Sequence, residues 1–193
     1  TSGNCDQNFW AQVTAPSHGN IAVDSVGNVY MSAIDSSGHF ESTEKKASMG
    51  GDYAIAFQQV KDRTVIYKYG PDGTKLAEWG SRGDNDEEFS GKQHSLVSLA
   101  IGKNGFLYAS DSGKGEIKKF TTDGIFVSKW EGSTVGGGIP QDGYFSQSST
   151  PWFDSPDLHI SIDDSTGNIY VTDSYNDHDT REHKKRIQVF SPF

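Results

Sequence analysis

The densest gathering of groups able to hold a cation lies between Asp173 and His183, where DSYNDHDTREH brings together three aspartates and two histidines. Hard cations such as calcium take several carboxylate and carbonyl oxygens from a pinned loop. This segment lacks the glycine and closing glutamate of an EF-hand loop, and His178 and His183 are five residues apart, not the four that would align them on one helical face for zinc. A solvated loop is the simpler expectation, with Asp177 and His178 kept as candidate ligand-binding residues. The acidic run Gly83 to Glu88 (GDNDEE) offers calcium similar chemistry, and in an acidic chain it too reads first as a solvated loop. Asp111 and Asp173 each stand before a serine at the end of an expected strand. A carboxylate there can cap a turn by accepting a backbone N–H, or can reach a ligand, so both join the candidate set.

Nucleophilic chemistry has less to build on. The one cysteine, Cys5, can form no intramolecular disulfide and has no partner base, His18, His39, His94 and His159 are scattered, and no serine stands in a GxSxG context. No catalytic residue is assigned. No cofactor is expected, calcium being the one candidate. A formal net charge of -9 repels phosphate backbones and anionic headgroups, which argues against nucleic acid as a partner. The basic run Lys184, Lys185 and Arg186 reads as a solvated approach to a strand. No stretch nears the roughly 18 apolar residues of a membrane span, so membrane insertion is not expected.

What must position these groups is a repeated pattern of short strands. Ile21 to Tyr30 (IAVDSVGNVY), Leu99 to Tyr108 (LAIGKNGFLY) and Ile160 to Tyr170 (ISIDDSTGNIY) each read as an alternating strand, a glycine-containing turn and a second strand bearing an aromatic. A repeat that cannot bury both faces alone must stack on its neighbours. In each first strand large residues flank Ala22, Ala100 or Ser161, so a period of two gathers the small side chain on one face, where another sheet can approach closely. The second strands, Val29 to Ser32, Phe106 to Ser110 and Ile169 to Thr172, carry apolar bulk on both faces, which predicts sheets sandwiched between sheets. The turns hold Gly27, Gly105 and Gly167 after Asp24, Asn104 and Asp164 or Ser165, as suits hairpins capped by short polar side chains.

Third strands end on Tyr69, Phe120 and Phe190, and fourth strands span Lys75 to Trp79 and Phe126 to Trp130. The third unit lacks a fourth strand, which predicts an open edge along Arg186 to Phe190 unless another segment or chain pairs with it. Apolar residues at 33% and 22 glycines, with few helix-period segments, agree with many short strands in one domain. That domain, residues 1–193, divides into units at about 1–82, 83–138 and 139–193, with an insertion at about 33–63, the alternative being a degenerate extra unit there that has lost its first strand. Within the insertion Tyr53 to Gln58 alternates as a strand expected to pair with Thr64 to Tyr69, and Ser42 to Met49 is the one plausible helix, short enough to be marginal.

These units resemble NHL repeats of the β-propeller family. The resemblance rests on IAVD at Ile21 to Asp24, GNVY at Gly27 to Tyr30, GNIYVTDS at Gly167 to Ser174, RIQVF at Arg186 to Phe190 and FVSKW at Phe126 to Trp130. Two positions depart from the pattern: Ala33 stands where Asp111 and Asp173 stand, and Gly102 replaces the first-strand aspartate of the middle unit. The resemblance implies an all-β fold of four-stranded antiparallel blades. Such propellers close with roughly six blades, so three units imply an incomplete propeller or arc, either a fragment of a longer one or an arc completed by another chain. The resemblance says little of function, and a strong repeat signal with no convergent catalytic set points to a non-enzymatic module for protein or glycan binding or for structural assembly, with other protein chains or the rest of a longer propeller as partners. The alternative is a fragment of a metal-dependent propeller hydrolase or lyase, which would hold a central metal with residues from several blades. Thr1 in place of an initiator methionine points to a processed terminus or an excerpt and, with the resemblance, to an extracellular or cell-surface location.

Overall fold

The structure, a computed structural model, describes residues 20–35, 41–43, 56–58, 63–90, 97–131, 158–177 and 182–191. It is all-β, with no helix among the described residues. In chain order the strands are β1 (Ile21–Val23), β2 (Val29–Asp35), β3 (Glu41–Thr43), β4 (Ala56–Gln58), β5 (Arg63–Tyr69), β6 (Lys75–Trp79), β7 (Leu99–Ile101), β8 (Phe106–Asp111), β9 (Glu116–Thr121), β10 (Phe126–Glu131), β11 (His159–Ile162), β12 (Ile169–Asp177) and β13 (Glu182–Phe190). They form antiparallel sheets in the orders β1-β2-β5-β6, β7-β8-β9-β10 and β11-β12-β13, with β3 and β4 paired as a separate two-stranded sheet. β4 therefore does not join β5, whose two sides are taken by β2 and β6. The expected helix from Ser42 begins instead in β3, since so short a segment gains little from helix formation alone, and its remainder lies outside the described residues.

Local polar contacts set each first hairpin. Asp24 Oδ1 accepts the N–H groups of Val26 (3.0 Å) and Asn28 (2.8 Å). In the third unit the same place is held by Asp163, whose Oδ1 accepts the Ser165 N–H at 2.8 Å, so the cap comes from neither Asp164 nor Ser165, the expected positions, but from the residue before them. The middle unit has Gly102 at this place and caps from Asn104, which accepts the Phe106 N–H at 3.2 Å. A Cβ on Gly102 would lie 2.6 Å from that Asn104 oxygen. The missing side chain thus makes room for the substitute cap.

The three large sheets stack face to face. Between the first and second lie Tyr30, Ile66, Phe89, Leu99, Leu107, Ala109 and Phe120, with Ala22 and Trp79 packed against them. Between the second and third lie Ala100, Tyr108, Ile117, Leu158, Ile160, Ile169 and Val171. Ala22 and Ala100 thus lie in the contacts, as the alternation predicts, whereas Ser161 is on the exposed outer face of the third sheet, and each large side chain removed from water contributes about 1.5–3 kcal/mol. Tryptophans of the fourth strands seal the seams. Trp79 meets Tyr30 edge-on at 6.3 Å and Phe120 of the next sheet at 6.4 Å, while Trp130 stacks on Tyr108 at 5.9 Å.

Hydrogen bonds repeat across both seams. Ser32 Oγ accepts the Asn20 N–H (3.0 Å) and donates to the carbonyl of Val97 (2.7 Å), while Ser110 Oγ accepts the Ser98 N–H (2.9 Å) and donates to the carbonyl of Leu158 (2.8 Å). In the reverse direction the Leu99 N–H donates to Asn20 Oδ1 (3.0 Å) and the Ile160 N–H to Ser98 Oγ (3.3 Å). Thr172 holds the corresponding place in the third unit, where its hydroxyl accepts the His159 N–H at 3.2 Å.

Gly124 and Gly105 separate the stack's demands from those of the turn. Both take positive φ, 85° and 77°, but a Cβ on Gly124 would strike the Trp79 ring at 2.6 Å, whereas one on Gly105 would meet nothing within 4 Å. Gly105→Ala should cost about 1–2 kcal/mol from backbone strain alone. Gly124→Ala should cost roughly 1–3 kcal/mol more, because the ring must move. Chemical denaturation of both variants checks this, and equal losses would show that Trp79 does not cover the turn of the second sheet.

Candidate functional site

The candidate carboxylates at the second-strand ends occupy one structural place with three different solutions. Asp111, the last residue of β8, is buried. Its Oδ2 accepts the Ser90 N–H (2.9 Å) and its Oδ1 the Lys114 N–H (3.2 Å), and its carbonyl accepts the Gly115 N–H (2.8 Å). It therefore caps the β8–β9 turn, as the sequence suggests. Burial pushes its carboxyl above the usual range, a rise that the Lys118 ammonium opposes.

Asp173 does not cap a turn. β12 continues to Asp177, so Asp173 lies mid-strand, directly across from Arg186 in β13, and its buried Oδ2 accepts from Arg186 Nε (3.1 Å) and Nη2 (2.9 Å). Opposite charges across a strand pair favour extension of the ladder. Much of the expected loop from Asp173 to His183 is consequently strand. Asp177 ends β12 opposite Glu182, and His178 lies outside the described residues. In the first sheet the matching pair is Ala33 and Val65, both buried, so an apolar contact replaces the acid.

The acidic run Gly83 to Glu88 is held by lysines, a feature the sequence reading missed. Lys114 Nζ donates to the carbonyls of Asn85 (3.3 Å) and Glu88 (3.0 Å), and Lys118 Nζ donates to the carbonyl of Asp86 (2.9 Å). Backbone oxygens of the kind that bind hard cations here face ammonium groups. Lys118 is fully buried, paired with Glu116 and placed 5.9 Å from the centre of the Phe89 ring. Lys129 extends the network to Asp86 (2.9 Å), Glu116 (3.1 Å) and Glu131 (2.8 Å). Its pKa rises, chiefly through the bond to Glu131, and Lys129 in turn holds the Asp86 carboxyl below the usual range. The available signal was periodicity, since Glu116 and Lys118 share the inward face of β9 with Phe120.

The first-strand aspartates are likewise engaged. Burial acts to raise the Asp24 carboxyl, but bonds from Asn28, Tyr30 and Val26 outweigh it and leave the group below its ordinary value. Hydrogen bonds from Ser165 and Thr166 hold Asp163 at about 2. Among the described residues no group of three or more His, Cys, Asp or Glu side chains is arranged to hold a metal ion. The sequence matches no family model and no curated protein.

The low value at Asp163 fixes the sign of a pH effect. Its folded value of about 2 lies below the ordinary 3.8, so its contribution to stability is complete above pH 3.8 and disappears as pH falls through 2. A carboxyl-carbon NMR titration should place its midpoint near 2. A midpoint at 3.8 or above would show that the Ser165 and Thr166 bonds do not form in solution.

Proposed function

We propose that this chain is a non-enzymatic module of NHL-type β-propeller architecture, its three stacked sheets serving as blades of an arc, and that it works by contact with other protein chains. The observation carrying this reading is the state of the two end faces. Each inner seam buries one sheet's tyrosine-bearing face against the next sheet's strand of large apolar residues, whereas Ile21 and Val23 at one end and Tyr170, Ile187 and Val189 at the other are exposed. Contiguous apolar surface of this kind marks interaction sites. The acidic groups support the same reading, since Asp111, Asp173, Asp24 and Asp163 all make hydrogen bonds that shape turns or strands. We place the chain outside the cell or at its surface on the family resemblance.

Metal analysis separates this module from a metal-dependent propeller hydrolase or lyase. The purified chain should carry less than stoichiometric calcium and zinc, and chelator should shift its melting midpoint by less than about 2 °C, because a ligand bound only to the folded state would raise it. A stoichiometric metal whose removal lowers the midpoint and abolishes a hydrolytic or lyase activity would overturn the reading.

A further inference from the structure

We propose that the two end faces bind each other between copies of this chain, so that the outer face of the third sheet seats head to tail on the outer face of the first sheet of a second copy. The proposal rests on the reading of the chain as a contact module and names its partner. The chain already contains this contact twice. On the covering side Tyr30 and Tyr108 are buried, while their third-unit counterpart Tyr170 is 37% exposed; Ile66 and Ile117 are buried, while Ile187 is 67% exposed. On the receiving side Leu99 and Ile160 are buried, while Ile21 is 63% exposed. The end faces thus continue the established interfaces position by position, and each carries what the other's interior counterpart covers.

One substitution points the same way. Lys68 stands just before the last residue of β5 and reaches Asp123 of the next sheet at 3.1 Å, and Lys119 holds the corresponding place in β9. In β13 this place is Val189, which is 55% exposed. The free end is therefore more apolar here than the buried seams, the reverse of what a solvated face requires. The polar elements of the seam are also present at the end: Thr172 corresponds to Ser32 and Ser110, and His159 to Asn20 and Ser98, the residues that accept an N–H from the following sheet. Because the two faces differ, the contact is heterologous, and it either closes into a ring or extends as a filament.

Sedimentation of the whole chain over a range of concentrations tests this. The weight-average mass should rise at least about twofold, as a heterologous contact requires. Ile21→Glu spoils only the receiving face and Ile187→Glu only the covering face, so each variant alone should stay monomeric while an equimolar mixture forms a dimer that grows no further. Thermal melts establish that both remain folded, and Val23→Glu and Val189→Glu repeat the pair if either does not. A wild-type monomer at every concentration, association of either variant alone as strong as wild type, or a mixture that stays monomeric would overturn the proposal. A metal-free monomer would remove this self-contact and leave the module reading standing, whereas metal-dependent activity would remove the module reading itself.

Discussion

A sheet with apolar side chains on both faces gains by covering each of them, and most of this structure follows from how the two inner seams do so. At each seam one sheet turns a small residue and a tyrosine toward the next, which meets them with large apolar residues of its first strand. The alternation allows close approach, and the serine relay fixes its register. Ser32 and Ser110 each tie a strand of their own sheet to the segment leading into the next, so a polar hydroxyl is buried with both its donor and acceptor capacity used. Packing supplies most of the energy here, and the hydroxyls supply direction.

The buried charges of the middle sheet obey a second constraint. Glu116 and Lys118 point toward the first sheet, where an unpaired ion would be costly, and they are kept by pairing with each other and by bonds reaching the acidic loop through Lys118 and Lys129. That loop is in turn ordered by the ammonium groups it receives. The same geometry that stabilises the loop gives its carbonyl oxygens an internal cation, which is why an acidic run that invites a calcium reading in sequence serves architecture in our account.

Strands were legible where periodicity was strong. β1, β6 and β7 match the boundaries expected from the alternation, and β5, β9, β10 and β11 differ by one or two residues at their ends. What escaped was decided by partners distant in sequence. β12 and β13 extend well past the apolar pattern because Asp173 meets Arg186 across the ladder, and no local window reveals that pair. β4 pairs with β3 because β5 is already flanked on both sides. For the candidate residues, sequence located Asp111 and its turn. It could not show that Lys114 and Lys118, some thirty residues downstream of the acidic loop, bond to that loop's carbonyls.

Amide exchange at Leu99 and Ile160 distinguishes sheets locked to one another, as this structure has them, from sheets that stand independently. Both N–H groups point out of their own sheets and donate to side chains of the preceding one, Asn20 and Ser98. Native-state hydrogen exchange should show them opening only with the whole stack, at the same free energy as ladder amides in the centre of β8. Rapid exchange at Leu99 and Ile160 beside full protection within β8 would instead mean that each sheet persists while the seams between them open, and that the sheets are not locked together.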